Sequence, residues 1–307
     1  SSDLKVRGAR FEKRAISKST AYGATPTSVY SSIVEHLVQA NPLRDVATLI
    51  TTQSGENLNV PTTSAFSTAS IVGEGSQAST SDPTFVNSRT LGAYKYVVLV
   101  QLSNELALDA GVDVAGFLGR QAGTAIGVAT RGHMTTGSGS SQPYGIATNS
   151  TAGVTGATSV SGAFTVQNIV DLYHSVTAPY RLTPNCGWMM NSATLGKVRG
   201  LQAQNSGGTA GSFDLVFKTG LEGNADTILG KPVYVNESVA SVGLSNKSVL
   251  FGAMDRYYIR EVNGIDVAIS DDFAFDYSVR TFRVTLRTDG VLIDQTGAVK
   301  HFVGGAS

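Results

Sequence analysis

Four histidines, one cysteine and a pair of adjacent aspartates are the side chains in this sequence best suited to chemistry. His36, His133, His174 and His301 lie far apart, without the short spacing that lets two imidazoles share a metal. His36 follows Glu35, but "VEHLVQ" lacks the second histidine of a zinc-protease helix. Cys186 stands alone, which excludes a disulfide within the chain and any zinc site of paired cysteines. With Trp188 and Met189 beside it and no histidine near in sequence, it reads as a small core residue. Asp271 and Asp272 fall on an expected turn with no second acidic pair, so they read as solvated groups. "GEGSQA" (73–78) begins like a dinucleotide loop but lacks the third glycine and a following helix. No phosphate loop or nucleophile elbow occurs. The glycosylation triplets at Asn149, Asn236 and Asn246 read as chance matches. No catalytic, cofactor-binding or metal-ligating residue is assigned, and an enzyme is not expected.

Composition points elsewhere. Of 307 residues, 41% are hydrophobic and only 15% charged, with 34 glycines; soluble domains usually carry about a quarter charged residues. Such a surface suits burial against copies of itself. Basic and acidic residues balance at 23 each, so nothing steers the chain globally toward nucleic acid or an anionic membrane. No apolar run approaches the length of a membrane span. The expected setting is soluble and intracellular.

The elements mix helices and strands without a regular βαβ repeat, which predicts an α+β fold. Residues 1–25 form a basic arm in which Lys5, Arg7, Arg10, Lys13, Arg14 and Lys18 face only Asp3 and Glu12. It is either a solvated tail or a strap on a neighbour. Val29, Ile33, Val34, Leu37 and Val38 then recur at helical spacing up to Asn41-Pro42. Ser103 caps a short helix over "NELALDA", and Asp113 caps a long one over "VAGFLGRQAGTAIGVATRGHM". In that helix Gly119, Gly123 and Gly127 form a small-residue stripe that permits close backbone approach. Thr165 and Asn191 open two further helices. Strands are predicted at "FDLVF", "PVYVNE", "SVLFG", "YYIREV" and "IDVAIS". A last long strand over 276–293 sets Phe282, Val284 and Leu286 on one face and Arg283, Thr285 and Arg287 on the other.

Between "VATLITT" (46–52) and "TFVNSRTLGAYKYVVLVQLS" (84–103) lies "IVGEGSQASTSDPTF" (71–85), small, polar and unable to bury much apolar area. A strand of twenty residues spans about 60 Å, beyond the roughly 20 Å radius of a domain this size. The hairpin is therefore expected to project, and a two-stranded ribbon is marginal alone in water. Another molecule must hold it.

These pieces in this order resemble the major capsid protein of tailed bacteriophages, with its Hong Kong 97-type fold. "VGEGSQASTSDPTF" is similar to the family's extended-loop tip, with an acidic-Gly pair and then Asp-x-Thr-Phe. "LSNELALDA" and the long helix with "TTGSGSSQPYGI" resemble the short helix, spine helix and Gly-rich loop of the peripheral domain. "NCGWMMNSATLGKVRGLQ", "ILGKPVYVNESV" and "VLFGAMDRYYIRE" resemble axial-domain steps. The resemblance implies an N-arm with first helix at 1–45 and an extended loop at 46–103. It implies a peripheral domain from 104–160 with 255–293, and an axial domain from 161–254 with 294–307. It further implies self-assembly into pentamers and hexamers of an icosahedral shell around double-stranded DNA. A portal protein and a cement or decoration protein would be further partners, with no membrane. The location implied is the virion capsid, assembled in the cytoplasm of the bacterial host. A chain starting at Ser1 is expected to be the mature, processed form.

Inter-subunit contact is assigned to Glu74, Gly75, Asp82 and Phe85 at the tip and to the axial loop near Gly207–Gly211. Arg7, Arg10, Lys13 and Arg14 of the arm face a neighbour or the packaged DNA, which is met through non-specific phosphate contacts. The founding member welds its shell by a lysine–asparagine isopeptide bond aided by a glutamate. Here Ala78, Ser278 and Thr285 occupy those three positions. An alanine methyl cannot attack an amide, so no such cross-link is expected. Two other readings stay open: an encapsulin-type nanocompartment shell, and a Ser/Thr-rich surface adhesin.

Overall fold

The computed structural model describes residues 41–65, 67–77, 79–81, 84–103, 114–158, 164–201, 217–218, 226–270, 272–273 and 277–306. The basic arm, the expected helix over 29–38, the expected short helix over 104–110 and the axial loop at 207–211 lie outside them. So do Ala78, Asp82 and Asp271.

A short helix, α1 (Leu43–Val46), leads into β1 (Thr48–Thr52), β2 (Leu58–Ala65), β3 (Thr84–Leu91) and β4 (Tyr94–Ser103). The long helix follows as α2 (Val114–Thr136), then α3 (Ile146–Asn149), β5 (Thr151–Thr155), α4 (Val166–Ser175) and α5 (Ala178–Arg181). Next come β6 (Cys186–Met190), α6 (Ser192–Gly200), β7 (Phe217–Lys218), β8 (Thr227–Ile228), β9 (Lys231–Val235) and β10 (Lys247–Ala253). A 3-10 turn at Met254–Arg256 opens into β11 (Tyr257–Ser270), β12 (Val279–Leu292) and β13 (Val299–Val303). The α+β expectation holds.

One layer is a mixed seven-stranded sheet ordered β5-β13-β10-β6-β9-β8-β7. Its central strand β6 is buried at every position, which is why "CGWMM" shows no polar alternation. Trp188 stacks on Phe251 at 4.3 Å between ring centres, and its indole N–H donates to the Ile228 carbonyl at 2.9 Å. Ile169 and Leu172 of α4 and Val198 of α6 close over this core. Both helices start where sequence places them. Thr165 and Asn168 form a reciprocal capping box on α4, and the Asn191 side chain accepts from the Thr194 N–H on α6. Cys186 is fully buried here, its thiol pushed up to about 11 chiefly by burial, as suits a core residue. Asn236 is equally buried and donates to Thr135 Oγ1, so no glycan can reach it in the fold. β5 lies at the edge of this sheet rather than with the spine helix that precedes it.

His301 sits in the same layer, 4% exposed, with its Nδ1 2.8 Å from Ser150 Oγ. Burial, and then the nearby Lys247 ammonium, push its pKa down from 6.5 to about 4. Below pH 6.5 the unfolded chain takes up a proton that the folded chain refuses. The stability held above that pH therefore drains away as the pH falls to 4, by about 3 kcal/mol in all. Urea unfolding of the wild type should show this acid slope between pH 6.5 and 4. In His301→Asn, which keeps a polar group opposite Ser150, the slope should lose this contribution and become shallower.

The other layer is a four-stranded sheet ordered β1-β11-β12-β4. β1 runs parallel to β11; β12 runs antiparallel to β11 and β4. Tyr96, Val98 and Val100 register with Leu286, Val284 and Phe282, and α2 covers this face with Ala122 and Ile126. The alternation expected along the last long strand is thus realised. A cluster containing Leu43, Met134, Met189, Tyr257 and Leu292 joins the two layers.

Three expectations change. The single returning strand over 84–103 is two strands, broken at Gly92 and Ala93. β4 belongs to the four-stranded sheet, so only β2 and β3 form the free ribbon, each about 26 Å long rather than 60 Å. "YYIREV" and "IDVAIS" are one strand, β11, interrupted by a bulge. There Asn263 (φ 57°) and Gly264 (φ 69°) both adopt the left-handed conformation and shift the register without ending the pairing.

Candidate functional site at the root of the extended loop

β2 and β3 pair in antiparallel fashion from Leu58–Leu91 at the root to Ala65–Thr84 at the far end, a two-stranded sheet of its own. The strands are rich in Thr, Val and Asn, and the proline at Pro61 is tolerated because the ribbon has only edges. Beyond the ribbon, Thr68 meets Ser81: its N–H donates to Ser81 Oγ at 2.9 Å and the two hydroxyls lie 3.2 Å apart. This pinch closes the neck of the tip. Inside the tip, a turn joins Gly73 to Ser76 by a 3.0 Å backbone bond, with Gly75 left-handed (φ 79°).

Glu74 and Gly75 are both exposed on that turn, as a contact surface requires. Asp82 and Ala78 lie outside the described residues; Phe85 is on β3, with its backbone paired to Thr63. Ser278 is an exposed left-handed turn residue just before β12, whereas Thr285 is buried midway along it. Two tip residues escaped the sequence reading. Ile71 is completely exposed (104%) and Val72 is 39% exposed, an apolar pair in an otherwise polar loop. Their composition alone was the available signal.

At the root the chemistry changes from exposed to buried. Arg260 of β11 is 2% exposed and carries its guanidinium into the fork where the ribbon leaves and rejoins the sheet. On the outgoing side, its Nε donates to Thr52 Oγ1 at 3.0 Å and one Nη donates to the Ser54 carbonyl at 2.7 Å. On the returning side, the other Nη donates to the Leu91 carbonyl at 2.8 Å and to the Gly92 carbonyl at 3.2 Å. The rigid planar fork of arginine suits this task, since one side chain ties four groups on two chain segments. Asp289 stands directly across the sheet from Arg260 in register. Its two oxygens accept the N–H groups of Gly92 at 2.5 Å and Gly290 at 2.7 Å. Burial raises its pKa, while those two bonds and the charge of Arg260 oppose the rise. Arg287 lays its guanidinium against Gly55, and Arg89 bonds Gln295 from the ribbon side. The root is rigid and the tip is bare.

No constellation for catalysis accompanies this anchorage. Among the described residues no three His, Cys, Asp or Glu side chains gather as metal ligands, and no helix is long and apolar enough to cross a membrane. His133 bonds the Tyr96 hydroxyl at 2.9 Å and His174 stands beside Arg181, each in a different place.

The model of the Phage capsid family matches residues 23–303. The chain belongs to the phage capsid family. Solved capsids share its fold at low sequence identity. The capsid of a native GTA particle is 19% identical with a TM-score of 0.76, covering 94% of this chain and 98% of that one. The structure titled Microbacterium phage Oxtober96 is 14% identical with a TM-score of 0.71, covering 94% and 99%. That titled Mycobacterium phage Adephagia is 17% identical with a TM-score of 0.71, covering 95% and 99%. No curated protein matches in sequence. This phage capsid protein therefore has the Hong Kong 97-type fold expected of it, and its family is structural rather than enzymatic. Within that fold, the ribbon of β2 and β3 is its extended loop.

Proposed function

We propose that this major capsid protein closes an icosahedral shell of pentamers and hexamers around double-stranded DNA, each extended loop lying over a neighbouring subunit. One observation carries the reading: a ribbon locked at its root by Arg260 and Asp289 ends in a tip exposed to solvent from Ser67 to Gln77. A polar ribbon with a bare isoleucine at its end gains its burial from another chain. The arm residues Arg7, Arg10, Lys13 and Arg14 serve the shell from within, toward a neighbour or the DNA. A portal protein completes the particle, which assembles in the host cytoplasm. The division into N-arm, extended loop, peripheral and axial domains draws support from the two separate sheets, with β5 reassigned to the axial sheet and β1 and β4 forming the base of the loop.

Electron microscopy of the purified protein should show closed shells, and their contents should be genome-length DNA. Monomers or fibres would overturn the assignment, and enzyme cargo in place of DNA would move it to a nanocompartment. The shell is held without the lysine–asparagine weld, because Ala78 offers no amine and Ser278 and Thr285 replace the other two groups. Particles boiled in SDS should release single chains of 32.0 kDa. A covalent ladder would refute this.

A further inference from the structure

The extended loop is gripped a second time, above its root. Residues 293–298 carry the chain from β12 of the four-stranded sheet to β13 of the seven-stranded one. Backbone bonds pin both ends of this crossing. The Ile293 N–H donates to the Arg256 carbonyl at 3.1 Å, and the Ala298 carbonyl accepts from the Ala253 N–H at 2.9 Å. Its polar side chains reach in two directions. Gln295 Oε1 accepts from the Arg89 guanidinium on β3. Asp294 and Thr296 meet α5 instead: the Tyr180 hydroxyl donates to Asp294 Oδ2 at 2.5 Å and lies 3.1 Å from Thr296 Oγ1. Asp294 Oδ1 holds the crossing in shape by accepting the Thr296 N–H at 3.0 Å and its hydroxyl at 2.6 Å. Burial raises the Asp294 carboxyl, yet the bonds from Thr296 and Tyr180 and the charge of Arg256 bring it below its usual value. Tyr180 in turn packs against the core that holds Trp188 and Phe251. A line of contacts thus runs from the ribbon through Gln295 and Asp294 into the other layer.

The two grips differ in strength. Arg260 ties the root with four bonds, whereas Arg89 makes one to the body, to a neutral amide. The Arg89 Nε is buried without a partner among the described residues. A buried unpaired donor opposes the contact that buries it, so the second grip lies near balance and opens while the root stays shut. Arg89 pairs with Val60, two residues above the Leu58–Leu91 rung. That is about 7 Å from the root, against about 23 Å to Thr84, so slack of about 1 Å at Arg89 becomes about 3 Å there.

We propose that residues 293–298 are a latch: Gln295 grips the ribbon at Arg89 and sets the angle at which the extended loop leaves the subunit, while Tyr180 holds the latch in place. The ribbon hinges at Arg260 and is steadied at Arg89. Tyr180 is a positioning residue, because it bonds Asp294 and Thr296 and acts on the ribbon through the crossing. Opening the latch lets one chain present its loop at more than one angle with no change at the root. The use of that freedom in a shell, where pentamers and hexamers ask different angles of one loop, rests on the function proposed above. The latch itself is a property of the single chain.

Spin labels on the full, unassembled chain test it. Cysteines replace Ser70 in the exposed tip and Ala193 on the exposed side of α6, while the buried Cys186 stays unlabelled. Double electron–electron resonance should give one narrow distance for this parent. Gln295→Ala and Arg89→Ala should each broaden it to about twice that width, because slack near the root is amplified along the ribbon. Tyr180→Phe should broaden it as well. Added to Arg89→Ala it should widen nothing further, as expected of residues that act in one line. Gln295→Glu offers the guanidinium a charged acceptor and should keep the distance narrow. A parent distribution as broad as that of Gln295→Ala overturns the latch, and so does a width unchanged in Gln295→Ala. Broadening in Gln295→Ala and Arg89→Ala but not in Tyr180→Phe overturns the link to α5. Since the labels are read without assembly, failure of the latch and failure of the shell can be told apart.

Discussion

A chain lacking residues 71–85 folds, stays in solution and closes no shells. None of the described tip residues it loses belongs to either hydrophobic layer: Trp188, Phe251 and Phe302 lie in one, Val284 and Leu286 in the other. Every described tip residue from Ser67 to Gln77 is exposed, so the monomer gives up little buried area. Its thermal midpoint should stay within about 3 °C of the parent, the shift expected for no more than about 1 kcal/mol in a chain of this size. Assembly is another matter, because the deleted segment includes Ile71 and Val72, the apolar part of the surface the loop offers. Size-exclusion chromatography and electron microscopy read the outcome directly. Normal particles would show that the loop is dispensable and that some other surface closes the shell.

Arg260→Ala acts on the opposite end of the same loop and carries the largest expected cost to the monomer. It strips donors from the carbonyls of Ser54, Leu91 and Gly92 and from Thr52 Oγ1; the bond to Leu91 is buried and the other three are partly buried. Each buried acceptor left unpaired costs about 1–3 kcal/mol, and Asp289 loses the nearby charge that favours its ionised form. A loss of about 4 kcal/mol is expected, followed by urea unfolding at neutral pH. Arg260→Lys keeps the charge but cannot fork to both segments, so it should recover less than half. Limited proteolysis supplies the local readout, with new cleavage near Gly55 and Gly92 in both variants. A urea midpoint unchanged in Arg260→Ala would mean that the ribbon is oriented by something other than this guanidinium.

Local signals carried most of the fold. Thr165 with Asn168, and Asn191 with Thr194, mark helix starts by side chains that bond within three residues, so the sequence displays them. The uniform burial of β6 and the alternation of Val284 and Leu286 are equally local. The errors arise where tertiary pairing decides. "YKYVVLVQLS" continues the β-rich character of "TFVNSRTL", and only Gly92 signals that the chain changes sheets between them. Asn263-Gly264 has the composition of a hairpin turn, yet β12 pairs across it and holds β11 together. The root itself was illegible. Arg260 reads as any arginine in a strand, because most of its partners are backbone carbonyls, separated from it by 168, 169 and 206 positions. Glu74 and Gly75 are assigned through likeness to other loops, whereas the exposure of Ile71 beside them has no local signal.

The fully buried thiol of Cys186, the chain's one cysteine, leaves the folded subunit without a reactive sulfur at its surface. A cysteine introduced on an exposed residue such as Tyr277 would accept a maleimide dye or cargo once per subunit, against a silent background. Particles decorated in this way would carry a uniform, countable coat.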